Sequence, residues 1–415
     1  MACLLTVKRK ISQSLTQMRS NRFLLIKLSL PLFILIAFSN FLFAQQPGDT
    51  AVPVRIAVVS PVYLDSAYDN SGSYKYSNIN MPRFILPGLE FYNGVAAALD
   101  TLQQRGVNLE VWIYDSKKTN QTTQSLLAEM IPHHFSMVIA SFSNPAEQKA
   151  FSDYSLNYNV PIISATYPND AFVNGNPFFI LLNSTLKTHV NAIQDYVERY
   201  KGNYNWLWVT KEGNLENTIR TMYIRAGANQ NAKFKTVKLN SQFDRSELIP
   251  FLDSTRKNMI VFGSVDENFG SRFIKLMDKE TSYQTTVFGM PTWDGMKAVT
   301  STENPALEIV YTTPFNYTTV QRDLVNLTES YKAKFNAKPS DMFYKGYESM
   351  YRFGQLLNKY RYNILNHLQD TSFRIANKFN LAPVFPADNK GIPDYIENKE
   401  LHFIHVISGN VVRID

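Results

Sequence analysis

VIASFSNPA, residues 138–146, and NVPIISAT, residues 159–166, each carry an apolar run into a cluster of small hydroxyl and amide residues. A short apolar run that stops at turn formers reads as a strand, so strands are expected at 137–140 and 161–164. The pattern continues toward the N-terminus, with strands expected at 54–59 and 109–114. Between those two, Leu89, Tyr92, Ala96, Leu99 and Leu102 recur at the spacing of one helical face. Gly94 in that helix would let it lie close to the sheet. Strands alternating with helical stretches predict a parallel sheet covered by helices on both faces.

A second series starts beyond the Asn174-Gly175-Asn176-Pro177 break. Ile193, Tyr196, Val197 and Tyr200 mark a helix, and strands are expected at 206–210, 234–239, 259–262, 286–289 and 309–312. Phe269, Phe273, Leu276 and Met277 mark a helix within this series, and two later stripes run through Leu324, Leu327, Tyr331 and Phe335 and through Met350, Phe353, Leu357 and Tyr360. Ser408-Gly409-Asn410 between two apolar runs reads as a terminal hairpin. The class is therefore α/β, with two lobes of similar build.

Charge and cysteine narrow the function. The formal net charge is +7, but six of the 42 basic residues fall within the first 44 positions, which hold no acid, leaving 36 basic against 35 acidic residues. A near-neutral chain without a basic block gives no electrostatic case for a nucleic-acid partner. Residues 1–44 combine this basic stretch with the apolar run 28–44 and are expected to be a secretory signal peptide, with Met1 or Met18 as the start. Export to the periplasm follows, with a membrane-anchored form as the alternative. The single cysteine, Cys3, lies in the leader, so the remainder has no disulfide and no thiolate chemistry.

Catalytic and metal motifs are missing. His402 and His405 sit three apart on an expected strand and so face opposite sides. Asp65 and Asp69 fail calcium-loop spacing, because Ala67 and Asn70 stand where a ligand and a glycine are needed. No Gly-rich phosphate loop, nucleophile elbow or HExxH occurs. Neither an enzyme nor a cofactor is expected.

The two opening segments are similar to a motif pair in branched-chain amino-acid binding proteins, where one strand ends Gly-Pro-x-Ser-Ser and a later one Val-Pro-x-Ile-Ser. The chain thus resembles the type I periplasmic solute-binding proteins over nearly all of its exported length. This resemblance implies two Rossmann-like lobes with parallel sheets, joined by a three-crossing hinge near residues 180, 312 and 386. Lobe 1 would take 52–179 and 313–385, and lobe 2 would take 180–312 and 386–415.

The resemblance also assigns a cleft. Ser141, Ser143, Asn144, Ser164 and Thr166 would hold a carboxylate where strands give way to helix N-termini. Asp266 or Asp294 would pair with an ammonium, Trp293 would pack on the ligand, and Tyr344 would reach in from the 339–351 stretch. Read without the resemblance, the hydroxyl residues cap helices or turns, Trp293 belongs to a core and Asp294 opens a turn at Gly295. Asn144 replaces the usual second serine, Ala140-Ser141 replaces Gly-Pro, and 211–217 lacks the relatives' Tyr-Gly. The implied function is capture of a small solute, an amino acid or related compound, for an ABC-type transporter whose permease would be the partner. A receptor or a cell-envelope interaction module without a small ligand is the alternative, and a hydrolase the third.

Overall fold

A computed structural model describes residues 9–10, 54–76, 81–227, 234–317, 322–386 and 391–415. The expected leader lies outside them except for β1 (Arg9–Lys10), which pairs antiparallel with β3 (Leu109–Asp115). The other strands of the first sheet are β2 (Val54–Ser60), β4 (Met137–Ala140), β5 (Ile162–Ser164), β6 (Phe179–Leu181), β12 (Leu381–Val384) and β13 (Tyr395–Asn398). Its order is β1-β3-β2-β4-β5-β6-β13-β12, parallel from β3 through β13. The second sheet contains β7 (Asn205–Thr210), β8 (Lys235–Lys238), β9 (Asn258–Phe262), β10 (Thr285–Phe288), β11 (Leu307–Thr313), β14 (His402–Ile407) and β15 (Asn410–Ile414). It runs β15-β14-β11-β10-β9-β7-β8, with β14 and β15 antiparallel.

The central strands are buried on both faces because helices cover both faces. In the first lobe Val54, Ile56 and Val58 pack with Phe91, Val95 and Phe353. Ala57 and Val59 point the other way, toward Leu126, Phe151 and Tyr154. Leu207 and Val209 similarly join Phe269 and Phe273, whereas Trp208 joins Ile193 and Tyr223 across the second sheet. Such two-sided burial forces near-continuous apolar runs, which is why these strands are legible in the sequence.

The helices of two turns or more are α1 (Leu86–Gln104), α2 (Thr123–Met130), α3 (Pro145–Tyr158), α4 (Leu186–Val197), α5 (Asn214–Ala226), α6 (Glu267–Met277), α7 (Arg322–Phe335) and α8 (Asp341–Tyr360). In α1 the buried face runs through Phe91, Val95, Ala98 and Leu102, while Leu89, Tyr92 and Ala96 are half-buried. The expected stripe was thus rotated. Gly94 does admit close packing, but against α8 rather than the sheet: a Cβ there would stand 1.9 Å from the Phe343 carbonyl oxygen.

Besides the two-residue β1, three strands escaped the sequence reading: β6, β12 and β13, of three or four residues each. One of them moves a boundary. Because β13 pairs in parallel with β6, the chain stays in the first sheet through Asn398 and crosses to the second only before His402, later than the expected passage near 386. The earlier crossings follow Leu181 and Thr313.

Candidate ligand cleft

Parallel strands deliver all their C-terminal ends to one edge of a sheet. The hinge joins those edges. The first crossing leaves the end of β6, the second leaves the end of β11, and the third enters β14 at His402, which pairs with Thr313. The segments following β4, β5, β9 and β10 therefore line the space between the lobes.

Side chains from all three crossings interlock at the hinge. The Thr185 amide donates to Glu397 Oε1 at 2.7 Å, and Ser184 Oγ donates to the Asn398 carbonyl at 2.7 Å. Lys399 pairs with Glu397 and donates to Thr188 Oγ1 at 2.8 Å. His189 Nδ1 lies 2.7 Å from Thr312 Oγ1, and complete burial lowers its pKa from 6.5 to about 4, leaving a neutral ring at neutral pH.

On the first wall, Ser141 is buried and its hydroxyl lies 3.1 Å from that of Thr166, which is half-buried. Ser164 is fully buried, 3.5 Å from Gln148 Oε1. Ser143 is exposed, but its amide and hydroxyl both donate to Glu147 Oε2, at 3.1 and 3.0 Å. Asn144 caps α3, accepting from the Glu147 amide at 2.9 Å. Lys117 stands 3.5 Å from the Glu147 carboxylate.

On the second wall, Asp266 caps α6 through the Phe269 amide and holds Lys211 Nζ at 2.5 Å. The Lys211 bond, more than any other influence, lowers the Asp266 pKa. Trp293 departs from its expected place on the ligand. It is fully buried in the second lobe's core, its ring 5.1 Å from that of Phe262 and pressed against Gly289. Asp294, the next residue, is open to solvent. Even so, the protein around it raises its pKa, an effect opposed by hydrogen bonds to Thr313 and Tyr311.

The start of α8 packs against the segment that follows β11. Tyr344 is half-buried, its hydroxyl 2.6 Å from Thr328 Oγ1 and its ring stacked on Tyr317 at 5.0 Å. Beside it, Lys345 rests over the Phe315 ring, 4.4 Å from its centroid, and burial lowers its pKa. The fields of Asp341 and Asp294 both favour this ammonium. Sequence reasoning missed Lys345. The available signal was Asp341 and Lys345 one turn apart at the start of an otherwise core-facing helix.

Among the described residues no group of three or more His, Cys, Asp or Glu is placed to hold a metal ion, and no helix is long and apolar enough to cross a membrane. A groove of about 670 Å³ runs between α4 and α5, lined by Lys187, Asn217, Thr221 and Arg225 among others; none of the cleft residues lines it.

Comparison with known proteins agrees with this architecture. A family model described as periplasmic binding protein matches residues 86–367. Among solved structures, the substrate-binding protein of a branched-chain amino acid transporter from Streptococcus pneumoniae, in complex with isoleucine, is 15% identical with a TM-score of 0.53, covering 88% of this chain and 99% of its own. A putative branched-chain amino acid ABC transporter protein from Rhodospirillum rubrum is 13% identical with a TM-score of 0.62, covering 87% and 99%. A substrate-binding protein from Desulfitobacterium hafniense, in complex with leucine, is 11% identical with a TM-score of 0.54, covering 86% and 99%. At these identities the likeness is one of fold. No curated protein matches the sequence.

Proposed function

Because the chain belongs to the periplasmic binding protein family, we propose that it is exported, captures a small solute between its lobes and presents it to a membrane transporter. The observation that carries this reading is the meeting of polar groups from both lobes at the hinge end of one cleft: Asp294 and Tyr311 from the second lobe, Asp341 and Lys345 from the first. A solute touching both walls favours the closed arrangement by its differential affinity for it, and closure is the event a transporter would read. An amino acid or a related compound fits the mixed charge. Of the expected contacts, Ser143, Asn144, Thr166, Asp266, Asp294 and Tyr344 have side chains that are not enclosed in a core.

A second reading has its own support. Glu147 already occupies the donors of Ser143, and Lys211 already occupies Asp266, so the two segments expected to grip a zwitterion are engaged within the chain. That arrangement suits an envelope interaction module that has given up small-ligand binding.

Purified exported protein, partially unfolded and refolded to strip any bound solute, separates the two. Thermal unfolding is then followed with amino acids, short peptides, nucleosides and sugars. A solute present at 100 times its Kd should stabilise by about 2.7 kcal/mol, a shift of several degrees. A flat response across the panel, with nothing released on stripping, would reject solute capture and favour the interaction module.

A further inference from the structure

Resting on the solute-capture reading, we propose that Lys345 anchors a carboxylate of the solute at the hinge end of the cleft, while Asp294 receives its protonated amine. Occupancy is the first argument. The donors of Ser143 are satisfied by the Glu147 carboxylate, and a second carboxylate brought there would meet like charge at contact distance. Asp266 already uses one oxygen on the Phe269 amide and the other on the Lys211 ammonium, so a solute ammonium there would compete with a lysine that neutralises its charge.

Lys345 is in the opposite condition. It is half-buried and makes no hydrogen bond or ion pair among the described residues, and the face of Phe315 lies 4.4 Å from its ammonium. Removing an ammonium from water without a contact partner is costly. The two carboxylates whose fields reach it are Asp341, one turn earlier on α8, and Asp294, from the other lobe. Neither is in ion-pair contact with Lys345, and a carboxylate supplied by the solute would complete the site. Asp294 remains open to solvent, with Tyr311 and Thr313 as its polar neighbours. An amino-carboxylate would thus span the lobes with opposite charges on opposite walls, a specific means of coupling binding to closure.

The test is calorimetric titration of the stripped, exported chain with the L-amino acids, and with hexoses and nucleosides as uncharged probes. An amino acid should bind. K345Q should weaken it by at least about tenfold, the effect of losing a charge-assisted hydrogen bond, with D294N also weakened and K345R weakened less than K345Q. K149Q, which removes a surface lysine paired with Asp153, controls for a general loss of positive charge. Unliganded unfolding midpoints show that the variants fold. Amino-acid binding that survives K345Q overturns the anchor but leaves solute capture intact, as does tight binding of an uncharged probe with no amino acid bound. Absence of binding by every probe overturns both.

Discussion

His189 and Glu308 are single residues whose surroundings set their protonation, and both make stability depend on pH. Burial lowers the folded-state pKa of His189 to about 4 from 6.5. The unfolded chain therefore binds this proton first, so the contribution is complete above pH 6.5 and is lost as pH falls toward 4. The shift corresponds to about 3 kcal/mol, and H189Q should flatten the denaturation midpoint over that window. Glu308 acts lower on the scale. Its bond to His405, 2.9 Å from Oε1 to Nδ1, is the main cause lowering its pKa from 4.5 to about 2, assisted by Thr286 and Lys257. Its contribution is present above pH 4.5 and lost as pH falls toward 2. Since water still reaches the carboxylate, a value near 2 kcal/mol is expected, and E308Q should remove that part of the acid limb in urea titrations.

At the scale of elements, the crossing of α1 and α8 depends on two glycines facing each other's helix. A Cβ on Gly94 would meet the Phe343 carbonyl oxygen at 1.9 Å, and one on Gly346 would meet the Phe91 carbonyl oxygen at 2.1 Å. Backbone on both sides cannot give way as a side-chain tip can, so the helices would have to separate. G94V should cost about 3 kcal/mol by overpacking, measured as a fall in the unfolding midpoint. Much of this level was legible from the sequence, since strand runs and helical stripes follow from burial pattern alone. The α1 face was misread because Tyr92 and Ala96 are apolar yet only half-buried, while Gly88 and Gly94 are fully buried and carry no hydrophobic signal. Strands β6 and β13 were missed because their two register pairs depend on partners more than 200 positions apart in the sequence.

For the whole molecule, the hinge holds the lobes through Glu397, which binds the Thr185 amide and Lys399. E397Q removes the charge from this junction while keeping its shape. It should lower the unfolding midpoint by several degrees, as loss of a buried, hydrogen-bonded charge pair does. Small-angle scattering should show a wider spread of lobe arrangements in the unliganded variant than in the parent chain. An unchanged scattering profile would mean that the backbone of the three crossings, rather than this ion pair, sets the resting geometry.

The sequence by itself determined the α/β class, the two βα series, the near-neutral charge of the chain beyond residue 44 and the absence of cysteine there. These are local or compositional properties, written in apolar periodicity and residue counts. Tertiary structure alone decided which side chains remain free for a partner. Ser143 and Asp266 look available in the sequence but are engaged by Glu147 and Lys211, whereas Lys345, with no motif around it, makes no ion pair among the described residues. It also decided that Trp293 fills a core while its neighbour Asp294 faces solvent. The physical reason is that availability depends on charges and contacts brought together from distant positions, and no local pattern records them.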